Sequence, residues 1–412
     1  MQRGRPPLPR LTGWIIAVVA TLAMTVSYVD RQALSHLAPT VRDALHLDHQ
    51  QYGTVTGAFS LSYLIGAPLA GWLLDRIGAR RGLAASIVIW SAVSALHALA
   101  PSFAVLILLR LALGAAEAPS FPGATQTVRR ALPASDRSMG YSLIFTGSSL
   151  GAMIAAPLAI GLKVHFGWRL AFVGTSLCGL LWLPLWLVAT GGSRKAALED
   201  AGVERSHEES VPWREVLREP AILRAVVLVF AAAPALMFIL TWYAQLLVEH
   251  FHQRQDDLWR YLWVPPLMLD LGAVGFGWLS SVRDRTTSDR ERGRSRMDLV
   301  IVGSVLSASL ALVPLVDRPV SAVVLGGASM MGGGALYVLA TADMLRRVSP
   351  RIVSRASGCT AAAQSLAHIL FAPAIGAVLD RAHTYAPVLV VLGLISAPGV
   401  VAWSLWPMRS PK

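Results

Sequence analysis

An acid–base pair, Asp30-Arg31, stands where apolar sequence should run unbroken, inside TGWIIAVVATLAMTVSYVDRQALSHLAP. An ionisable side chain within a membrane-spanning helix costs roughly 2.5–3.5 kcal/mol on insertion scales, so its presence suggests a function. The carboxylate could carry a proton, because burial favours its neutral form and a nearby guanidinium its charged form. The arginine presents a planar fork that fits the carboxylate of an anion. Adjacent residues on a helix point about 100° apart, so the two side chains can serve different partners. A second pair, Arg110 and Glu117, lies seven residues apart in another apolar run, RLALGAAEAP. That spacing puts both on one helix face, about 10 Å apart along the axis. A direct contact is out of reach in a straight helix, so each should face a partner on another helix or a polar cavity. A structural network that locks helices together is the other reading of this second pair.

The elements that must position these groups follow from composition. The chain has 412 residues, 54% hydrophobic and only 15% charged, where soluble proteins carry about 25%. Apolar runs near 20 residues recur along its length, which predicts an all-α polytopic membrane protein. Polar or Gly/Pro-punctuated breaks divide it into twelve helical spans: 12–36, 52–74, 82–100, 103–125, 138–162, 168–190, 221–248, 259–281, 298–316, 319–343, 354–379 and 385–407. The tail MQRGRPPLPR and the run after it resemble a signal peptide, but no small-residue cleavage site interrupts the run before Asp30, so it reads as the first span. Alternate loops beginning with this tail hold 27 of the 36 Lys and Arg residues, against 7 on the other side. That bias places both termini in the cytoplasm of a bacterial inner membrane. The net charge of +12 is explained by the same bias, and nucleic acid is not an expected partner. Cys178 and Cys359 both lie in apolar stretches and imply neither a disulfide nor a metal framework.

The chain divides into an N-terminal six-helix bundle (1–190), a cytoplasmic central loop (191–220) and a C-terminal six-helix bundle (221–412). The loop GGSRKAALEDAGVERSHEESVPWREVLREP is the longest charged segment and reads as a linker, in parts helical on the membrane surface. Two echoes relate the halves. Gly71-Trp72-Leu73 after span two matches Gly277-Trp278-Leu279 after span eight, and Ala156-Pro157 in span five matches Ala372-Pro373 in span eleven. Repeated halves suggest a transporter with its site where they meet.

The most specific stretch is GWLLDRIGARR, carrying Gly71, Asp75, Arg76, Gly78, Arg80 and Arg81. Glycines there suit close helix approach and a tight turn. The stretch resembles the signature G-x-L-x-D-R-x-G-x-R-R of the major facilitator superfamily, in the loop between spans two and three. That resemblance implies two pseudo-symmetric six-helix bundles, and a gating role for the motif. Tyr28-Val-Asp30-Arg31, Tyr63, and Arg110 with Glu117 resemble the anion:cation symporter branch, which includes bacterial hexuronate and galactonate transporters. Pro265-Pro266 with Asp270, Ala342-Asp343, and Phe371-Ala-Pro373 with Asp380 fit the same branch. Carried over, Asp30 and Glu117 are the proton-coupling carboxylates. Arg31 pairs with the substrate carboxylate, helped by Tyr63, and Arg110 tunes Glu117 or holds the network.

The second half is less explicit. Trp242 and Tyr243 could stack on a sugar acid or simply pack. The branch usually has Pro and a basic residue after this pair, whereas Ala244-Gln245-Leu246 follows here. Gln364 and His368 are four apart on one face and could form a polar site wall. Asp270 and Asp343 read as structural. Span five has GSSLG and then Pro157, not the compact G-x-x-x-G-P-x-x-G-G pattern of drug antiporters. No P-loop, dinucleotide fingerprint or zinc-ligand spacing occurs, so neither enzyme activity, cofactor nor metal is expected. The resulting expectation is a monomeric secondary transporter in the lipid bilayer, taking up a small organic anion such as a hexuronate or aldonate with protons. Export or antiport of an amphiphile is the alternative, followed by a non-transporting sensor and a membrane-embedded hydrolase.

Overall fold

The computed structural model describes residues 8–192, 194–199, 212–286, 292–349 and 352–406. Among the described residues every regular element is a helix. The first group is α1 (Arg10–Leu45), α2 (His49–Ile77), α3 (Ala79–Leu96), α4 (Phe103–Glu117), α5 (Ser120–Ala131), α6 (Arg137–Ala189) and a short α7 (Arg194–Glu199). A short α8 (Trp213–Val216) leads into α9 (Pro220–Thr241), α10 (Tyr243–Glu249), α11 (Val264–Thr286) and α12 (Arg292–Ala308). The chain continues with α13 (Pro319–Arg347), α14 (Val353–Ala382), α15 (Ala386–Leu394) and α16 (Ser396–Leu405). Much of the central segment 191–220, and the end of the chain beyond 406, lie outside the described residues; α7 and α8 are the described helical parts of that segment.

Among the described residues eleven helical stretches are long and apolar enough to cross a bilayer. The longest of them contains Gly167 at φ 81°, ψ 164°, which breaks the helix. Glycine accepts that left-handed conformation without steric cost. The two arms of α6 therefore count separately, and the spans among the described residues number twelve.

Several boundaries differ from expectation for physical reasons. The first span was expected to stop near residue 36, but α1 runs through Pro39 to Leu45, where His46 turns the chain at φ 52°. Proline is tolerated inside membrane helices because neighbouring groups re-satisfy the backbone. The fourth span is interrupted between Glu117 and Ser120 at Pro119. The seventh ends at Thr241 and restarts at Tyr243, with Trp242 as the joint.

The chain forms two compact units, Met1–Leu47 with Ala58–Glu204, and Asp48–Gly57 with Arg205–Lys412. In the first unit α1 is the most buried helix and packs along α6, where Gly147 and Gly151 meet the backbone of Thr21 and Thr25. Thr25 Oγ1 donates to the Gly147 carbonyl at 3.0 Å. Small residues let helices approach closely where lipid supplies no hydrophobic drive between them. Trp182 Nε1 donates to the Val19 carbonyl at 2.8 Å, anchoring α6 on α1.

In the second unit α13 lies against α9, α11 and α12. Arg224 sits over the Trp403 ring at 3.5 Å and pairs with Asp343 at 3.0 Å. Asp343 also takes Arg347 at 3.1 Å, the structural contact expected of it. The first turn of α2 belongs to this unit. Its amides at His49 and Gln50 donate to the Asp380 carboxylate at 3.0 and 2.9 Å, which satisfies N–H groups that a helix start leaves open. Cys178 and Cys359 are both free thiols.

Candidate functional site

The site is built inside the first unit, on α1, α2, α3 and α4. Glu117, at the last turn of α4, is completely buried. Its Oε2 accepts from Ser27 Oγ at 2.9 Å, from Arg31 Nη2 at 3.0 Å and from Arg31 Nε at 3.2 Å. Its other oxygen, Oε1, is buried without a hydrogen-bond partner. Glu117 thus faces another helix, as its distance from Arg110 along α4 required. Arg110 is buried as well and interacts electrostatically with Glu117 and Asp30.

Arg31 is the accessible member of the set, with its side chain 20% exposed. Its guanidinium lies over three rings, Tyr28 at 4.6 Å, Phe59 at 4.7 Å and Tyr63 at 4.9 Å. Phe59 and Tyr63 stack on each other with centroids 5.9 Å apart. Each such cation–π contact contributes about 0.5–2 kcal/mol. Two of the five guanidinium N–H donors point at one Glu117 oxygen, so the fork retains donors for a second acid. The arrangement can exchange one carboxylate for another on the same arginine.

Local sequence explains the geometry. Ser27 and Arg31 are one helical turn apart on α1, as are Phe59 and Tyr63 on α2, so each pair shares a face. Gly114 lies between Arg110 and Glu117. A Cβ there would meet the Phe59 carbonyl and the Ser62 hydroxyl, so α2 rests directly on α4. That crossing sets the aromatic wall beside Arg31.

Asp30 has different company. It is 1% exposed, and its Oδ1 accepts from Ser94 Oγ on α3 at 2.9 Å. Its Oδ2 has no hydrogen bond of ordinary geometry; the Trp90 indole adjoins it. The neighbours Asp30-Arg31 therefore serve different helices. Ser27, Phe59, Trp90 and Ser94 were not singled out by sequence. Their signal was the one-turn spacing to Arg31 and Tyr63 for the first two; the α3 pair had none.

The basic motif forms a separate cluster at the end of α2. Gly78 turns the chain at φ 81°, as expected of a tight turn. Gly71, by contrast, has nothing within 4 Å of a built Cβ, so the close approach expected there is absent: that face of α2 is open. Gln126 Nε2 donates to Asp75 Oδ1 at 2.9 Å, and Arg76 lies over Trp72 at 3.7 Å. Arg80 Nε donates to Thr190 Oγ1 at 3.0 Å, and its carbonyl accepts from Trp186 Nε1 at 3.0 Å. Arg81, at the start of α3, is exposed.

The second-unit candidates divide into a buried pair and a half-buried pair. Trp242 and Tyr243 are fully buried. Trp242 meets Tyr52 edge-on at 5.0 Å, and the Tyr243 hydroxyl donates to the Ala322 carbonyl. Of the two expectations for this pair, packing matches the geometry, since neither ring has a face to offer a ligand. Gln364 and His368 share one face of α14 and are half-buried. His368 Nδ1 lies 2.9 Å from the Gln364 carbonyl, so that nitrogen serves its own helix. Among the described residues no group of three metal-ligating side chains converges.

Among the described residues, a series of apolar segments long enough to cross a bilayer, a few of them carrying buried charges such as Asp30, Arg110, Glu117 and Asp343, defines a multi-pass membrane protein. Residues 20–371 match the Major Facilitator Superfamily, and the chain belongs to that family. It is 29% identical over 409 residues to the hexuronate transporter of Escherichia coli strain K12, covering 95% of this chain and 93% of that protein. It is 28% identical over 278 residues to the galacturonate transporter of Dickeya chrysanthemi, covering 65% and 81%. It is 23% identical over 413 residues to the D-galactonate transporter of Escherichia coli O6:H1, covering 95% of each. A solved bacterial homologue of the human lysosomal transporter Spinster shares the fold, with a TM-score of 0.77 at 16% identity over 97% of this chain and 95% of that one.

Proposed function

We propose that this protein takes up a small organic anion, a sugar acid of the hexuronate or aldonate class, driven by protons entering with it. The observation that carries the proposal is Arg31 in its three-ring cage, paired with the Glu117 carboxylate. An anionic substrate and Glu117 compete for one guanidinium. When Glu117 is protonated its hold on Arg31 weakens, and the fork turns to the substrate carboxylate. When the substrate leaves, Glu117 loses its proton and recaptures Arg31. Binding and protonation are then linked by charge, because an uncompensated buried charge is the costly state. Tyr63 and Tyr28 supply ring faces and hydroxyls for the sugar acid. Asp30 is the second proton carrier and Arg110 the fixed countercharge for both carboxylates. The Asp75–Arg81 cluster gates the cycle.

The named relatives support the substrate class, since they are transporters of hexuronate, galacturonate and galactonate. The charge bias of the loops supports a bacterial inner membrane with both termini in the cytoplasm. The protein acts as a monomer and needs no cofactor beyond the proton.

Reconstitution in proteoliposomes tests the reading. Galacturonate uptake should rise with an inward pH gradient and collapse with a protonophore. Uptake indifferent to that gradient overturns proton coupling, and indifference to the substrate's carboxylate overturns the anion site.

A further inference from the structure

Asp30 belongs to a buried polar chain that leads away from the arginine cage. Ser94, the group that holds its Oδ1, is 1% exposed. One turn further along the same helix stands His97, equally buried, opening the 3-10 turn His97–Leu99. His97 Nδ1 is 2.8 Å from the Val93 carbonyl. A carbonyl only accepts, so Nδ1 carries the hydrogen and Nε2 holds the lone pair. That Nε2 is buried without a hydrogen-bond partner, and Asp30 Oδ2 has no hydrogen bond of ordinary geometry, with only the Trp90 indole beside it. Buried polar atoms are almost always paired, and an unpaired one calls for a specific explanation. Here one is a base and the other a carboxylate oxygen, and both lie on the same stretch of α3 and its α1 neighbour.

The groups around His97 are fixed. Phe172 of α6 stacks on its ring at 5.4 Å. Arg110 of α4 interacts electrostatically with His97 and Asp30 alike. Arg169, on the second arm of α6, donates to the Ala98 and Ala100 carbonyls at 2.6 and 3.4 Å, pinning the turn that follows. Glu117 reaches Asp30, and Cys178 of α6 lies within its field. Beyond the turn, Pro101 and Ser102 are exposed, in a loop that the charge bias assigns to the external side. His97, in the turn that continues α3, is therefore the last buried titratable group before that surface.

We propose that Ser94 and His97 complete the proton machinery: Ser94 positions the Asp30 carboxylate, and His97 Nε2 is the relay base between it and the external end of α3. The inference rests on reading Asp30 as a proton carrier. A proton from external water bonds to Nε2 and makes the imidazolium, with Nδ1–H still held by Val93. The Nε2–H bond then breaks as an O–H bond forms on Asp30, through a water where the gap requires one, and His97 returns to neutral. No electrons are exchanged.

A pH jump followed by infrared spectroscopy tests this without any substrate. The band that vanishes in Asp30→Asn reports protonation of Asp30 in reconstituted protein. His97→Gln, which keeps a donor for Val93 but cannot carry a proton, should slow the appearance of that band roughly tenfold. Ser94→Ala should shift the pH at which the band appears, and Ser94→Thr should restore it. An unchanged rate in both His97→Gln and His97→Asn overturns the relay, and so does an Asp30 band that never titrates. Substrate-driven proton entry, read with a dye trapped in galacturonate-loaded proteoliposomes, separates the two claims. Wild-type protein that titrates Asp30 through His97 but moves galacturonate without proton entry refutes the coupling reading and leaves the relay standing.

Discussion

Each unit buries an arginine against a carboxylate, and the two pairs are finished differently. In the second unit Asp343 uses both oxygens, one on Arg224 and one on Arg347. Arg224 Nε is spent on the Trp403 carbonyl at 2.6 Å, and its plane is covered by the Trp403 ring. In the first unit Arg31 stays partly open, Glu117 keeps one buried oxygen without a hydrogen-bond partner, and Asp30 keeps one with only the Trp90 indole beside it. A saturated network holds helices in one arrangement. An unfinished one stores an unmet demand that a proton or an anion can answer, which is what a carrier needs and a strut does not. Buried ion pairs are poor evidence for stability in general; completeness of hydrogen bonding separates the two uses.

Breaking the saturated pair should have the largest effect. Asp343→Asn leaves two arginines inside the helices short of their countercharge, at a cost of about 3–5 kcal/mol. The expected result is a marked fall in thermal midpoint in detergent, followed by tryptophan fluorescence. Asp30→Asn should leave that midpoint unchanged or raised, because it removes a buried negative charge near Glu117 while keeping an acceptor for Ser94. Equal losses in the two variants would erase the distinction between the units. Next, Arg31→Ala should weaken galacturonate binding by roughly a hundredfold or more, read by isothermal titration; tight binding in that variant removes the cage from the site. Glu117→Gln should come third. It should lower gradient-driven uptake about tenfold or more while exchange of labelled for unlabelled galacturonate persists. Parallel loss of both processes would return Glu117 to a scaffolding role.

The smallest effect concerns a third pair, at the surface. Asp136 is held below the usual carboxylate range, first by the hydrogen bond from Arg10 and then by those from Ser135 and Trp14. Arg10 Nε lies 2.8 Å away on a side chain that is 75% exposed. A carboxyl depressed in the folded state stabilises it above its unfolded value and loses that contribution as pH falls through its folded one. Wild-type protein should therefore lose stability on the acid side of the ordinary aspartate range, and Asp136→Asn should flatten that slope slightly. High salt should flatten it too, since exposed charges are screened.

Hydropathy made the spans legible because twenty apolar residues admit few alternatives to crossing a bilayer. Asp30, Arg31, Arg110 and Glu117 were legible for the complementary reason, as charges in apolar helices. What sequence could not supply was the partner of each. Arg31 meets Glu117 across 86 positions, and Ser94 meets Asp30 across 64. Serine and tryptophan on an apolar helix carry no mark that separates the partner of a buried carboxylate from ordinary packing. Trp242 and Tyr243 show the converse. Aromatic residues at a helix joint look like ligand contacts until burial places them in the core. Gly71 and Gly78 belong to one motif, yet only Gly78 has the backbone angle that requires glycine.

The crossing at Gly114 has a consequence for how this carrier can acquire new ligands over evolutionary time. Tyr28, Phe59 and Tyr63 can be exchanged singly, each altering one wall around a fixed anchor. A methyl group at 114 instead drives the Phe59 carbonyl and the Ser62 hydroxyl outward, carrying the wall away from Arg31 and loosening the grip on every acid at once. On the anion site proposed above, altered ligands are therefore reached through the rings, while the glycine that seats them stays constant.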